Sequence, residues 1–215
     1  MSSMTVIKEI REAGVVAVIR ADTKEKGKKL IDAVLKGGIR VIEITMTVPG
    51  SIELIRDIAE TYKGKAVIGA GTVLDPETAR VCILAGAEFI VSPALNVETI
   101  KLCNRYDIPA IPGVMTVSEA VEALTYGAKV IKIFPAGLYG PAVIKSFKGP
   151  LPQASFMPTG GVTIENAKEW IQAGAVAIGT GSDLTRGAQT GNYALVKETA
   201  ARFVQEVALA RNTQQ

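Results

Sequence analysis

The chain has 215 residues, with 24 Lys and Arg against 21 Asp and Glu, and no histidine. Hydrophobic residues at 48% exclude a disordered chain, two cysteines exclude a disulfide-built one, and a net charge of +3 gives no argument for nucleic acid or an anionic membrane as partner. Without histidine there is no Ser-His-Asp or Cys-His relay, no imidazole base and no His-ligated metal, so any chemistry falls to Lys, carboxylates, Arg, hydroxyls, Cys or backbone amides.

The chain opens with Ile7-Lys8-Glu9-Ile10, a short amphipathic helix lacking the basic–apolar–cleavage pattern of a signal peptide. No apolar run approaches the ~20 residues of a membrane span, so a soluble, cytoplasmic protein is expected. Eight short apolar runs then follow: Val15–Ile19, Val41–Thr45, Ala66–Ile68, Phe89–Val91, Ala110–Pro112, Val130–Phe134, Phe156–Pro158 and Val176–Ile178. Helical spacing separates them, as in Ile52, Ile55, Ile58 and Ala59. Gly38, Gly86, Gly127 and Gly174 each end a helical segment, where a left-handed cap feeds the next strand. Asp75-Pro76, Asn96 and Thr163 read as helix starts. Cys82 and Cys103 fall in helical segments without CxxC spacing and read as reduced, structural thiols.

Eight strand–helix units predict a single (β/α)8 TIM barrel domain over residues 1–215, with a short helix before the first strand. A doubly wound open sheet shares the alternation and is the alternative. The count of eight and the polar residues inside several runs favour the barrel.

Strands of such a barrel are apolar on both faces, and two charges break the rule. Glu43 shares a face with Val41 and Thr45, and Lys132 shares one with Val130 and Phe134. A charge is cheaper at the barrel mouth than under the helices, so both are expected to point inward. They stand on the second and sixth strands, across the barrel, where long side chains can approach. A structural ion pair is the competing reading. Burial favours the neutral form of an amine, and a neutral lysine attacks a carbonyl to form a Schiff base. The iminium is an electron sink that needs no metal or cofactor, and a nearby carboxylate moves protons. Lys132 and Glu43 thus describe carbon–carbon bond cleavage or formation beside a ketone.

Two glycine-rich loops, Thr159-Gly160-Gly161-Val162 and Gly179-Thr180-Gly181-Ser182, follow strands seven and eight, where these barrels bind phosphate on backbone amides. Gly69-Ala70-Gly71-Thr72 lacks the third glycine of a dinucleotide fingerprint. Arg20 ends the first run on the face of Val16 and Val18 and can meet a substrate carboxylate. Trp170 reads as packing.

In order along the chain, Glu43-Ile44-Thr45, Gly69-Ala70-Gly71-Thr72-Val73, Val91-Ser92-Pro93, Ile111-Pro112-Gly113, Lys132-Ile133-Phe134-Pro135-Ala136 and Pro158-Thr159-Gly160-Gly161-Val162 resemble the bacterial 2-keto-3-deoxy-6-phosphogluconate (KDPG) and 2-keto-4-hydroxyglutarate (KHG) aldolase family. The resemblance implies a class I aldolase, without metal or cofactor, that splits a phosphorylated keto-acid into pyruvate and glyceraldehyde 3-phosphate. It also implies activity on hydroxyglutarate, giving pyruvate and glyoxylate. Lys132 is then the Schiff-base residue and Glu43 the general acid/base. Thr72, Pro93 and Phe134 line the pyruvate end, with Thr159 near the carboxylate, while Gly160, Gly161, Gly181 and Ser182 hold the phosphate. The resemblance further implies a homotrimer. Several members carry Arg four residues after the glutamate; here Thr47 stands there, and Arg20 is the candidate replacement. That departure keeps an aldolase of the galactonate epimer, or a non-aldolase phosphosugar-binding barrel, as alternatives.

Overall fold

Eight parallel strands pair in sequence around a closed ring in the computed structural model, which describes residues 1–212. They are β1 (Val15–Ile19), β2 (Val41–Thr45), β3 (Val67–Gly71), β4 (Ile90–Val91), β5 (Ala110–Ile111 and Gly113–Val114), β6 (Ile131–Ile133), β7 (Phe156–Pro158) and β8 (Ile178–Thr180). Pro112 divides β5 because it has no N–H to give the ladder, although its carbonyl still accepts from Lys132 N at 2.9 Å. A bridge between Thr159 and Gly179, with Val176 N donating to Phe156 O at 3.0 Å, joins β7 to β8. The pairing of β8 with β1 then closes the barrel. This ring excludes the open-sheet alternative.

The helices are α1 (Ser3–Ala13), α2 (Lys24–Lys36), α3 (Ser51–Thr61), α4 (Pro76–Leu84), α5 (Val97–Arg105), α6 (Val117–Thr125), α7 (Ala142–Lys148), α8 (Ile164–Gln172), α9 (Ser182–Thr185) and α10 (Tyr193–Asn212). Their ends follow the side-chain chemistry. Asp75 and Asn96 cap α4 and α5 by accepting from Thr78 N and Thr99 N. Thr116 and Glu119 form a reciprocal capping box on α6. Gly38, Gly86, Gly127 and Gly174 all take positive φ, between 93° and 106°, and turn the chain into the next strand. None of the described helices is long and apolar enough to cross a membrane.

Alternation along the strands sorts the core into two layers. Ile42, Ile44, Ile131 and Ile133 pack outward, under the helices. Val16, Val41, Val67, Phe89, Val91, Ile111, Val130, Met157 and Ala177 fill the inside, and α1 joins them through Val6, Ile7 and Ile10. The N-terminal helix therefore stoppers the bottom of the barrel. Arg211 at the end of α10 fastens this base by donating to Glu12 O at 2.7 Å, to Val176 O at 3.1 Å and to Arg11 O.

Two strands are displaced from their apolar runs. β3 extends to Gly71 and β8 to Thr180, each beyond the predicted end at Ile68 and Ile178. Hydropathy cannot mark these extensions, because glycine carries no apolar signal. Packing requires them, since a Cβ at Gly69 would overlap the Phe89 ring and one at Gly179 would overlap Thr159 Oγ1.

Candidate active site

Lys132 and Glu43 are both buried inside the barrel, at 3% and 1% exposure. Val130, the inner-face neighbour of Lys132, belongs to the interior cluster, as does Val41 beside Glu43. The Lys132 Nζ lies 4.8 Å from the centre of the Phe134 ring. In register Lys132 sits beside Gly113 and Met157, and Glu43 beside Val18 and Gly69. Gly71, with no side chain, leaves the space that the Glu43 carboxylate occupies. Among the described residues no ion pair within 4.0 Å joins the two charges. Neither Glu43 oxygen has a hydrogen-bond partner among the described residues. The competing reading, a structural salt bridge, is thereby removed: a carboxylate buried without a partner costs stability, whereas a structural pair would satisfy it.

A third buried polar group, Thr159, is 4% exposed, and its Oγ1 also lacks a partner. It stands at the C-terminal end of β7, against Gly179. Thr72 follows β3 with φ +57°, a left-handed conformation that β-branched residues avoid. That strain fixes a half-buried threonine directly after Gly71. Pro93 is half-buried at the end of β4, and its carbonyl packs on Gly113, the register neighbour of Lys132.

Above this level a cavity of about 120 Å³ is lined by Arg20, Phe134, Thr159, Gly160, Gly161, Gly181 and Ser182, with Thr163 and Asp183 at its edge. Gly160 and Gly161 hold φ of +82° and +81°. A Cβ on Gly161 would come within 2.8 Å of Gly137 Cα, so both conformation and contact demand glycine there. At the start of α8, Thr163 N donates to Asn166 Oδ1 and Ile164 N to Asp183 Oδ2. The N–H groups of Gly161 and Val162 point to no acceptor among the described residues, and they form the free donor surface of the loop. Arg20 and Ser182 also line a neighbouring pocket of about 540 Å³, shared with Asp22, Lys26, Thr47, Gln189 and Tyr193. Thr47 thus lies in the same pocket as Arg20.

The structure brings Arg20, Phe134, Thr159, Gly160, Gly161, Gly181 and Ser182 around one cavity, and Lys132 lies behind its lining in contact with the Phe134 ring. Glu43, in the middle of β2, and Thr72 and Pro93, just past β3 and β4, lie outside that lining. Sequence reasoning passes over Gly71, Gly113 and Gly179 as shape-giving residues. Their signal is glycine at inner-face positions beside strands that carry polar groups. Trp170 is 1% exposed and is packing, as expected. Burial pushes the thiols of Cys82 and Cys103 up to about 11 and about 12, so both are structural rather than nucleophilic.

A family model described as KDPG and KHG aldolase matches residues 6–199. The chain belongs to this aldolase family. It is 37% identical over 190 residues to the 2-dehydro-3-deoxy-6-phosphogalactonate aldolase of Escherichia coli K12, covering 88% of this chain and 92% of that one. A KDPG aldolase from Legionella pneumophila, solved with pyruvate captured at low pH as a covalent carbinolamine intermediate, superposes with a TM-score of 0.83 at 32% identity, over 90% of this chain and 95% of that one. A cube-shaped protein cage designed by fusing symmetric oligomeric domains contains a chain with a TM-score of 0.89 at 35% identity, over 94% of this chain and 75% of that one. The aldolase is accordingly a lyase on a TIM-barrel-like scaffold.

Proposed function

We propose that this aldolase cleaves 2-keto-3-deoxy-6-phosphogluconate to pyruvate and glyceraldehyde 3-phosphate through a Schiff base on Lys132. One observation carries the reading: a buried amine shares the barrel interior with two unpartnered polar groups, Glu43 and Thr159, beneath a loop of free amides. The Lys132 amine adds to the C2 carbonyl, and loss of water leaves an iminium. Glu43 takes the proton of the C4 hydroxyl as the C3–C4 bond breaks, and the electron pair flows into the iminium to give an enamine. The aldehyde departs, C3 takes up a proton, and water releases pyruvate from the lysine. Thr159 offers its hydroxyl to the keto-acid carboxylate. Thr72, Pro93 and Phe134 enclose the pyruvate end, and Phe134 covers the imine. Gly160, Gly161, Gly181 and Ser182 bind the phosphate through amides and a hydroxyl. Arg20, at the junction of the two cavities, balances a substrate anion.

The galactonate epimer is a second reading, favoured by the 37% identity to the E. coli galactonate enzyme and by Thr47 in place of arginine. Cleavage of hydroxyglutarate to pyruvate and glyoxylate would use the same lysine. A cytoplasmic homotrimer is proposed as the working form, supported by likeness to a chain built into a cage of symmetric oligomeric domains. Light scattering should then give three times the 22.6 kDa chain mass.

Borohydride reduction in the presence of pyruvate tests the central claim. A pyruvate-sized adduct should map to Lys132, and active protein that repeatedly shows none would refute the Schiff base. Side-by-side kcat/KM on the two phosphorylated epimers and hydroxyglutarate then ranks the substrates.

A further inference from the structure

Thr47 hangs from a short chain of hydrogen bonds at the barrel mouth. The Thr45 hydroxyl donates to Ile19 O at 2.9 Å. The Thr45 and Thr47 hydroxyl oxygens are 2.7 Å apart. A hydroxyl carries one proton and two acceptor lone pairs. With the proton of Thr45 committed to the Ile19 carbonyl, Thr47 must be the donor between the two. The proton of Thr47 is then spent, and it offers the pocket lone pairs only. Thr45 is fully buried and fixes this polarity, whereas Thr47 is exposed and lines the 540 Å³ pocket with Arg20 and Ser182.

An acceptor-only group selects its ligand. It repels carboxylate and phosphate, which are themselves acceptors, and it binds a donor. On a phosphorylated keto-acid whose C4 hydroxyl goes to Glu43, the remaining donor on the carbon chain is the C5 hydroxyl. Glu43, Thr45 and Thr47 follow one another along β2 and out of its end, towards the mouth. On the aldolase reading the substrate runs the same way, from the carbon held by Lys132 to the phosphate at Gly160 and Gly161. We propose that Thr47 is a specificity-determining residue that accepts a hydrogen bond from the C5 hydroxyl. This rests on the aldolase reading above and adds to it the group that separates hydroxylated aldehydes from bare ones.

The test condenses pyruvate with D-lactaldehyde or with propanal, two aldehydes that differ only in the hydroxyl that becomes C5–OH. Wild-type enzyme should prefer lactaldehyde by about three- to tenfold in kcat/KM, the scale of one neutral hydrogen bond. Thr47→Val should erase that preference, and Thr47→Ser should restore it. Borohydride trapping of pyruvate on each protein runs in parallel, because Val at an exposed position leaves Lys132 untouched. If trapping succeeds and Thr47→Val keeps the wild-type preference, or the wild type has none, this inference is overturned and the Schiff base stands. If trapping fails on wild type as well, both fall.

Discussion

The Glu43 carboxylate lies in the space that a side chain at Gly71 would fill. Glycine on β3 thus shapes the pocket of an acid on β2, two strand ends that face one another in the register Thr45 to Gly71. Gly71→Ala must push Glu43 aside. Such overpacking costs about 1–3 kcal/mol, and kcat should drop while pyruvate trapping on Lys132 continues. Thermal melting and trapping on one preparation would check this, and unchanged kcat would show that Glu43 has room to move.

Glu43→Gln keeps the shape and replaces a buried carboxyl that has no partner among the described residues. Turnover should fall by about 10²- to 10⁴-fold, the range for loss of a general acid/base. The melting temperature in the absence of substrate should rise, because an unpaired buried carboxylate is costly. A lower melting temperature would mean that Glu43 serves the fold.

Thr72 at φ +57° carries backbone strain of about 1–2 kcal/mol. Thr72→Gly relieves it, which offsets the usual entropic penalty of an added glycine. Denaturant unfolding should therefore show little loss of stability, while kcat/KM drops through loss of the positioned hydroxyl and methyl. A full 1 kcal/mol destabilisation would contradict the strain.

The thiols of Cys82 and Cys103, raised to about 11 and about 12 by burial, stay protonated across the physiological range. Ellman's reagent at pH 8 should leave both untouched in the native protein and titrate two thiols after unfolding in guanidinium. Rapid labelling of the native state would place either cysteine at the surface.

Glu119 accepts from Met115 N and Thr116 N at 2.8 Å each, and these bonds hold its carboxyl below the usual range. A carboxyl depressed in the folded state stabilises fully above its unfolded value. That contribution fades as pH falls below about 4.5 and protons compete with the two amides. Glu119→Gln should therefore destabilise at pH 7 by at most about 1 kcal/mol, and the gap between mutant and wild-type curves should narrow as pH falls below 4.5. Curves that stay parallel throughout acid titration would rule out this linkage.

The strand count, the helix caps and the inward direction of Lys132 and Glu43 were legible in the chain, because period-2 alternation and left-handed glycines are local signals. β1, β2 and β7 match their apolar runs residue for residue. The far ends of β3 and β8 were not legible, since Gly69, Gly71 and Gly179 are placed by what crosses from the neighbouring strand. The stopper role of α1 was also hidden. Val6, Ile7 and Ile10 read as an ordinary apolar stripe, and only closure of the ring decides which core they join. Thr47 looked like a missing arginine; the donor order through Thr45 and Ile19 depends on distances that no sequence spacing encodes.

The stopper has a consequence for the order of events. With Val6, Ile7 and Ile10 filling one end and Arg211 fastening it, the barrel is a blind well. On the proposed chemistry the three-carbon piece bonded to Lys132 sits at depth, and the aldehyde lies between it and the barrel mouth. Cleavage must then release the aldehyde first and pyruvate second, and in the reverse direction pyruvate must load before any aldehyde can react. The covalent bond to Lys132 sets this order on the proposed chemistry, and the helix that closes the base leaves both fragments to use the mouth.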